Sequence, residues 1–447
     1  MELYIPDYVN VVLNRLEEAG FEAFMVGGCV RDLILHRTPN DYDVTTSANP
    51  DEIQELFKNF KTLYIGKQYG TIVVIQPEED IEVTTYRKEG KYIDGRRPSE
   101  VTFSKYINED LSRRDFTINS IAYNKNTGIV DPYNGIQDIE ARTIRTVGEP
   151  SVRLNEDYLR ILRAVRFSTQ LDFSIEENTY NACKTLSTSI KHISEERIKD
   201  EIFKILLSEK PSKGIRLMED MGLLKEILPE LIETIGYDQK NPHHSRTLYE
   251  HILCVVDNSP PILEIRMAAL LHDIAKPSTF SVDENGVGHF FSHDKLGAEM
   301  TKDMLYRLKC SKDFTEIVSK LVREHMHHAN MKEKGLKRQL RRVGKENIFN
   351  LFELKKADMK CKNGKKDVSV LDEKIRLIQE ILNNHEPYDK SHLAINGDDI
   401  VALGFLKGKQ IGEIIEYLTE KVIEHPEFNE KTKLIELIRN KYNCQLF

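Results

Sequence analysis

Hydrophobic and polar positions in the first 145 residues switch several times between helical and strand-like spacing. Helical spacing covers residues 8–19 and 50–58, where Gly20 and Asn49 are typical of a helix end and a helix start. β-prone apolar runs occupy residues 21–26, 62–65, 70–76 and 80–85. The pattern predicts a mixed α/β head domain.

Beyond about residue 147 the strand signals almost vanish. Helical apolar spacing with charged outer faces covers residues 156–170, 175–188, 194–208, 211–224 and 246–258. It continues to the C-terminus except at a glycine-containing turn over 283–289. The predicted fold class is therefore α+β, with a mixed-sheet head followed by a mainly α-helical body.

The length and composition are those of a multidomain globular protein. A chain of 447 residues is too long for one core and predicts three or four domains. No run approaches 18 apolar residues and no secretory signal is visible, so we expect a cytoplasmic protein without membrane spans. The cysteines lack Cys-x-x-Cys spacing and are predicted to be reduced thiols, at positions 29, 183, 254, 310, 361 and 444.

The charge is acidic overall but unevenly distributed. A net charge of −8 argues against nonspecific coating of nucleic acid. Two basic stretches, residues 332–345 and 355–366, could still form a local RNA-binding track. The alternative is that they are solvated helix faces.

Residues 26–46 contain the most informative chemistry of the chain. Asp41 and Asp43 are two apart in a β-prone run, so both carboxylates should face one side of a strand. Paired carboxylates can hold two hard cations that clamp a triphosphate and polarise a hydroxyl. Upstream, Gly28 in a Gly-Gly turn permits close approach of a phosphate, and Arg31 supplies a cationic fork. The alternative is a solvated Asp-x-Asp beside an ordinary turn.

Residues 110–123 form a second polar cluster, placed just before a helical apolar pattern. Arg114 and Asp115 could reach a ribose and phosphates, and Asn119 is predicted one helical turn further on. A solvated charge cluster at a helix start is the alternative.

Residues 155–167 form a third cluster. Asp157 and Arg160 should share one face of a helix, which Arg163 and Arg166 continue at steps of three. Three cations in a row repel one another unless a ligand such as a triphosphate is present, and an Asp–Arg pair can hydrogen-bond a base edge. Surface salt bridges are the alternative.

Together these motifs resemble those of class II tRNA nucleotidyltransferases, the CCA-adding enzymes and their bacterial poly(A) polymerase relatives, which have a polymerase-β-type head. The resemblance implies that Asp41 and Asp43 are catalytic Mg²⁺ ligands and that Asp157 and Arg160 select C or A without a nucleic-acid template. It also implies further nucleotide-binding residues, which are Gly28, Arg31, Arg114, Arg163 and Arg166.

Other segments resemble supporting parts of the same family. Residues 131–138 resemble its head–neck linker motif, and residues 196–201 resemble a neck motif that acts as a structural brace. Residues 82–98 resemble the flexible loop required for the switch from C to A addition. Within that loop, Glu82 is a candidate third metal-site carboxylate, with a solvated strand-edge Glu as the alternative.

Residues 251–358 carry a series of histidines and aspartates that resembles an HD metal-dependent phosphohydrolase domain. The series contains His251, adjacent His272 and Asp273, His293, His325 and Asp358. The predicted metal ligands are His251, His272, Asp273 and Asp358, and imidazole ligands favour Ni²⁺, Co²⁺ or Mn²⁺. A largely structural role for this domain is the alternative.

Residues 395–400 and 404–412 resemble the family's tail. A glycine-rich turn opening a helix offers N–H groups to an RNA phosphate, and Lys407 and Lys409 add positive charge. Because the chain has no Trp and no RNP-type motif, we expect recognition of duplex shape through backbone contacts.

The predicted domains are a nucleotidyltransferase head (1–145), a helical neck and body that selects the nucleotide (146–235), an HD domain (236–365) and a helical tRNA-binding tail (366–447). The predicted activity is template-independent addition of CMP, CMP and AMP to tRNA from CTP and ATP. The alternatives are an A-adding enzyme or poly(A) polymerase, and a non-catalytic RNA-binding protein. No obligate protein partner is indicated.

Overall fold

The computed structural model describes residues 2–64, 70–90, 100–240, 246–326, 331–362 and 367–442. The chain divides into two compact units, Met1–Pro229 and Glu230–Phe447. The finer division into four domains stays a prediction. The C-terminal part of the predicted switch loop (91–98), the end of the second basic stretch (363–366) and Cys444 lie outside the described residues. No helix in the described ranges is long and apolar enough to cross a bilayer.

The first unit is built on a mixed sheet. Its strands are β1 (Ala23–Val26), β2 (Asp43–Thr46), β3 (Lys61–Tyr64), β4 (Thr71–Ile75), β5 (Ile81–Thr85), β6 (Arg87–Glu89), β7 (Val101–Phe103), β8 (Ala122–Asn124), β9 (Gly128–Val130), β10 (Thr143–Ile144) and β11 (Ser174–Ile175). Seven of them form one sheet in the order β3-β4-β5-β2-β1-β8-β9. The α+β prediction is confirmed.

Part of the first polar motif lies on the central strands of this sheet. Strand β1 is buried at all four positions and pairs antiparallel with β2 and β8. Strand β2 pairs parallel with β5, in a register that sets Asp43 opposite Glu82. The start of β2 therefore carries one aspartate of the predicted pair and lies beside a second carboxylate.

The helices of the first unit follow the predicted spacing with local differences. They are α1 (Asp7–Glu18), α2 (Gly28–Ile34), α3 (Pro50–Leu56), α4 (Ile107–Ser112), α5 (Gly135–Glu140), α6 (Pro150–Glu156), α7 (Leu159–Leu171), α8 (Glu177–Leu186), α9 (Glu195–Leu206), α10 (Pro211–Asp220) and α11 (Leu223–Ile227), with α12 (Pro229–Ile232) following. Asn49 caps α3 as predicted. The single helix predicted over 211–224 is interrupted by Gly222, whose φ of +83° is left-handed.

Two predicted helical segments are wrong in detail. Asp157 does not lie within a helix: its backbone is extended (φ −146°, ψ 106°), and its carboxylate accepts a hydrogen bond from the Leu159 N–H. This local bond competes with continuation of the helix, so α7 begins only at Leu159. Residues 115–123 are not α-helical either. The backbone of residues 115–117 pairs with residues 145–147, a 3₁₀ turn follows at Thr117–Asn119, and strand β8 begins at Ala122.

The second unit is mainly helical. Its elements are α13 (Leu248–Asn258), α14 (Leu263–Leu271), β12 (Phe280–Val282), β13 (Gly288–Phe290), α15 (His293–Arg307), α16 (Lys312–Glu324), α17 (Glu333–Val343), α18 (Ile348–Lys360), α19 (Ser369–Asn383), α20 (Gly397–Ala402), α21 (Lys409–Glu424) and α22 (Lys431–Tyr442). The turn predicted over 283–289 is the connection of the β12–β13 hairpin. Helices α20 to α22 share their own apolar cluster, which includes Ile400, Leu418 and Ile438.

The prediction that all cysteines are reduced thiols is wrong for one pair. Cys254 on α13 and Cys361 directly after α18 form a disulfide, with their Cα atoms 5.9 Å apart. The two are 107 residues apart in the chain, so no local spacing motif marks them. Among the described residues, Cys29, Cys183 and Cys310 are buried and are not part of a disulfide.

We expect Cys254→Ser to lower the free energy of unfolding by about 2–5 kcal/mol, because the bond closes a long loop and restricts the unfolded chain. Chemical denaturation with and without reductant measures this cost. Reductant should destabilise the parent protein by a similar amount and leave the variant unchanged. Equal stability of parent and variant without reductant would contradict the assignment.

Candidate functional sites

The first candidate site lies at the start of β2. Asp43 is partly buried and Asp41 is exposed, whereas Tyr42 between them is buried. Burial raises the pKa of Asp43 to about 6, the Arg114 guanidinium opposes this rise, and Asp41 and Glu82 add to it. Crowded carboxylates of this kind are stabilised by a divalent cation, so Asp41 and Asp43 fit the predicted metal-binding role.

In the adjoining Gly-Gly turn, Gly27 is the position that requires glycine. Its φ of +82° is left-handed, and a Cβ atom there would lie 3.0 Å from Nη1 of Arg114 and 3.9 Å from Oδ2 of Asp43. Gly28 begins α2, and its Cβ position would be an ordinary 3.6 Å from Nη2 of Arg31. Backbone, cation and carboxylate therefore meet at Gly27, beside the predicted Gly28.

Arg114 is directed to this turn by Asp110, a residue that the motif analysis did not select. Asp110 is fully buried on α4, and its carboxylate accepts hydrogen bonds from Arg113 (2.7 Å) and Arg114 (3.2 Å). Nε of Arg114 is buried and has no hydrogen-bond partner in the part of the chain that the structure describes. The spacing of three and four residues between Asp110 and the two arginines is the sequence signal that could have identified it.

A chain of hydrogen bonds connects the three predicted polar clusters. Nη1 of Arg31 donates to Oδ1 of Asn119 (2.6 Å), and Nδ2 of Asn119 donates to Oδ1 of Asp115 (3.2 Å). The other oxygen of Asp115 accepts from Arg163 (2.7 Å). Burial opposes ionisation of Asp115, but Arg163 and Arg160 hold its pKa well below its ordinary value. The motifs therefore belong to one electrostatic network.

The arginines of α7 each have an acidic partner. Arg163 pairs with Asp115, Arg166 with Glu201 at 2.6 Å, and Arg160 with Glu156. The predicted repulsion along this row is thus relieved by three carboxylates, all of which lie outside α7. These pairs also differ from the alternative of surface salt bridges, because Arg160 and Arg166 are buried.

Asp157 and Arg160 have separate partners. The Asp157 carboxylate accepts two hydrogen bonds from Arg197 on α9, at 2.6 and 3.2 Å. Arg160 donates to the backbone carbonyls of Arg153 (2.7 Å) and Arg113 (3.1 Å). Their predicted common helix face is wrong, since only Arg160 lies on α7. Their proposed contact with a base edge stays a prediction.

The second candidate site lies in the second unit, where five helices bring histidines and aspartates together. Three ligands occur at helix ends: His272, with Asp273 following it, comes directly after α14, His293 begins α15, and His325 comes directly after α16. His251 and Asp358 lie within α13 and α18. All six side chains are buried.

Asp273 is shared by two groups of ligand atoms. Its Oδ2 lies 3.1 Å from Nε2 of His272 and 3.6 Å from Nε2 of His251. Its Oδ1 lies 3.4 Å from Nε2 of His293 and 3.6 Å from Nε2 of His325. Within each group the atoms lie within 4.8 Å of one another.

These are the two clusters of at least three such ligands that the described residues contain. Asp358 joins the first, 3.1 Å from His251. His293 and His325, which the sequence placed in the series but not among the ligands, therefore complete a second group.

The histidines are held with Nε2 directed at the aspartate. Nδ1 of His272, His293 and His325 lies 2.8, 2.6 and 2.6 Å from a backbone carbonyl, to which it can donate. This arrangement leaves Nε2 of each ring as the atom that could face a metal. Burial opposes protonation of His272, but the Asp273 carboxylate raises its pKa above the ordinary value, whereas burial lowers the pKa of His293. Burial lowers the pKa of His251, which favours its neutral form.

The shared aspartate is ionised. Burial opposes the charge on Asp273, but His272 and Lys276 hold its pKa well below its ordinary value. Imidazoles around a buried, ionised carboxylate are a suitable ligand set for a divalent metal.

The basic stretch 332–345 is not an open track. On α17, Arg338 and Arg341 form ion pairs with Glu420 of α21, at 2.7 and 3.4 Å. Arg342 pairs with Glu324, and Lys337 is buried between Glu333 and Glu386. In the second stretch, Lys355 is buried. These charges brace the helices and are largely neutralised.

Lys407 and Lys409 lie differently from these paired cations. Both are exposed at the start of α21, where the Lys409 side chain is 92% accessible and lies 3.8 Å from Glu413. Their predicted contact with RNA is sterically open and stays a prediction.

Comparison with known proteins shows which protein family the chain belongs to. Three family models match it: the poly A polymerase head domain over residues 23–145, the probable RNA and SrmB-binding site of polymerase A over 172–234, and the HD domain over 241–377. A CCA-adding enzyme of Streptococcus suis is 32% identical over 96% of this chain and 95% of its own length. One from Pediococcus pentosaceus is 33% identical over 96% of both chains.

A solved structure agrees with these matches. The Bacillus stearothermophilus CCA-adding enzyme in complex with CTP superposes with a TM-score of 0.74 and 26% identity, over 97% of both chains. The resemblance inferred from the motifs is confirmed over nearly the whole sequence. The chain belongs to the CCA-adding enzyme family and carries an HD domain within it.

Proposed function

We propose that this protein adds CMP, CMP and AMP to the 3′ end of tRNA, using CTP and ATP, without a nucleic-acid template. The observation that carries the proposal is the convergence of the Asp43 carboxylate, the Gly27 turn and the Arg114 guanidinium. A carboxylate, a close backbone approach and a partly buried cation lie near one another here, which is the combination that phosphoryl transfer requires.

In this proposal Asp41 and Asp43 would hold Mg²⁺, which would supply Lewis-acid polarisation of the terminal 3′-hydroxyl of the tRNA and charge stabilisation for the departing pyrophosphate. Arg114 faces the turn and binds phosphate oxygens. Arg31 and Arg163, joined through Asn119 and Asp115, orient the nucleotide. The third carboxylate, Glu82, lies beside Asp43 in the sheet and supports the same charge cluster.

The activity is tested by sequencing the 3′ ends of tRNA that lacks CCA after incubation with CTP and ATP, separately and together. The proposal expects CC with CTP alone and CCA with both. Addition of A only to tRNA ending in CC would favour an A-adding enzyme. Long A tails without C would favour a poly(A) polymerase, and no incorporation with intact tRNA binding would favour an RNA-binding protein.

Base selection is assigned to Asp157 and Arg160. Asp157→Ala or Arg160→Ala is expected to relax the choice among nucleotides, lowering discrimination against UTP and GTP by about tenfold, since one base-edge hydrogen bond is lost. The measurement is kcat/KM for all four nucleotides. Arg142→Ala, at an exposed ion pair with Asp172, is the matched control. Unchanged exclusion of UTP and GTP in both variants would contradict the assignment.

Contact with tRNA is assigned in part to Lys407 and Lys409. Removing both charges as Lys→Ala is expected to raise the Kd for tRNA about threefold to tenfold and to reduce its dependence on salt, because fewer counterions are released. Filter binding at two salt concentrations measures both effects. Replacing Lys431, which is paired with Asp399, provides the control. A salt dependence equal to that of the parent protein would contradict the role.

A second activity, metal-dependent hydrolysis of a phosphoester, is favoured by the HD site. Its support is the pair of ligand groups that share Asp273. We propose that His251, His272, Asp273 and Asp358 hold one divalent ion, and that His293 and His325 with Asp273 hold another. Imidazole ligands favour Ni²⁺, Co²⁺ or Mn²⁺.

A further inference from the structure

Phe167 on α7 is surrounded by arginines of the nucleotide site. The guanidinium carbons of Arg31, Arg163 and Arg166 lie 5.2, 5.3 and 4.0 Å from the centre of its ring. The ring is only 5% exposed, and Phe116 packs edge-on against it at 5.7 Å. One fixed aromatic side chain thus contacts three cations from two motifs.

The ring of Phe167 offsets the repulsion among these three guanidinium groups. Three like charges repel one another, and the carboxylates that neutralise them occupy guanidinium N–H donors, as Asp115 does for Arg163. An aromatic face attracts a guanidinium through its quadrupole without accepting a conventional hydrogen bond. Contact with Phe167 therefore stabilises the cations while it leaves donors available to a ligand.

The position of Phe167 also connects two parts of the fold. Arg31 follows the Gly27 turn on α2, whereas Arg163 and Arg166 lie on α7. The hydrogen bonds that join Arg31 to Arg163 pass through two intermediate side chains, Asn119 and Asp115. The ring of Phe167 contacts both directly and fixes their separation.

We infer that Phe167 is a positioning residue for nucleotide addition, whose ring holds the guanidinium groups of Arg31 and Arg163 toward the triphosphate of the incoming nucleotide. This inference rests on the proposed assignment of those arginines to the nucleotide. Phe167 itself contacts the arginines and acts on the substrate through them.

The test replaces Phe167 by phenylalanines carrying one, two and three ring fluorines, which weaken the quadrupole stepwise while they keep the shape. Phe167→Leu is a second variant that removes the aromatic face. The measured quantities are KM for CTP and ATP, KM for tRNA, kcat and the midpoint of thermal unfolding.

We expect KM for both nucleotides to rise with each fluorine and to reach about tenfold for the trifluoro ring or for leucine. KM for tRNA and the unfolding midpoint of the fluorinated proteins should stay near those of the parent. The same fluorination at Phe116, which has no guanidinium over its ring among the described residues, should leave KM for nucleotides unchanged.

Two outcomes separate this inference from the proposed function. Arg163→Gln tests the nucleotide assignment itself and should raise KM for CTP and ATP. If it does so while fluorination of Phe167 has no effect, the role of the ring is wrong. If Arg163→Gln has no effect either, the nucleotide assignment fails with it. A fluorination effect equal for tRNA and nucleotides would also overturn the inference, because it would indicate a general structural role.

Discussion

Asp43→Asn is expected to lower kcat for nucleotide addition by about 1,000-fold, because it removes one negative charge from the proposed Mg²⁺ ligands while it preserves shape. Neither KM for tRNA nor the fold should change. Asp43 has its pKa raised to about 6, so its ionised form is disfavoured in the folded protein. Ionisation of Asp43 therefore destabilises the folded protein. This destabilisation begins as the pH rises above the pKa of the aspartate in the unfolded chain, and it is complete above about pH 6.

The direction of the change in unfolding temperature therefore follows from this pKa. At pH 7 without divalent ions, Asp43→Asn should unfold at a temperature equal to or above that of the parent protein. Asp7→Asn, at an exposed acid in the first turn of α1, is the matched control and should retain full activity. Incorporation by Asp43→Asn within about tenfold of the parent rate would show that the carboxylate is not a catalytic ligand.

The double replacement of His272 and Asp273 by alanine is expected to remove metal-dependent phosphoester hydrolysis and to leave CCA addition near normal. Asp273 contributes to both groups of ligand atoms, so its loss affects both proposed metal positions. The site lies in the second compact unit, whereas Asp41 and Asp43 lie in the first. Their metals should also differ, since the imidazoles favour a transition metal and the paired carboxylates favour Mg²⁺.

The measurement combines metal content, hydrolysis of bis-p-nitrophenyl phosphate and of a 2′,3′-cyclic nucleotide with Ni²⁺, Co²⁺ or Mn²⁺, and CCA addition with Mg²⁺. Asp303→Asn, at an exposed acid on the helix that carries His293, is the control. Because removal of buried charges can unfold the unit, circular dichroism is recorded for each protein. Equal loss of both activities in a folded double variant would show that the two sites are coupled.

Local sequence patterns predicted much of this protein. Strands such as Thr71–Ile75 and helices such as Asp7–Glu18 follow from the spacing of their apolar residues, and Asn49 caps its helix as expected. The Asp41–Asp43 pair is likewise predicted without coordinates, because residues two apart on one strand face the same side. In the structure, strand β2 begins only at Asp43, so Asp41 lies outside it. These features depend on interactions between residues close in the chain.

Contacts between distant residues are what only the tertiary structure decided. Asp157 is paired with Arg197, forty residues away, and lies outside the helix that its local spacing indicated. The basic residues of α17 are neutralised by glutamates of α21, and Cys254 is bonded to Cys361. In each case the partner is determined by how segments far apart in the chain pack together, and the periodicity of the sequence does not specify this packing.

In the two candidate sites, too, some features follow from the sequence and others only from the tertiary structure. The sequence by itself determined which side chains are the candidates for the chemistry: the paired aspartates, the arginine clusters and the His-Asp series. Only the fold decided that Gly27 meets Arg114 and Asp43, that Phe167 lies among three arginines, and that Asp273 serves two ligand groups. The physical reason is that charge and ligand type are properties of a residue, whereas their convergence depends on how helices and strands far apart in the chain pack together.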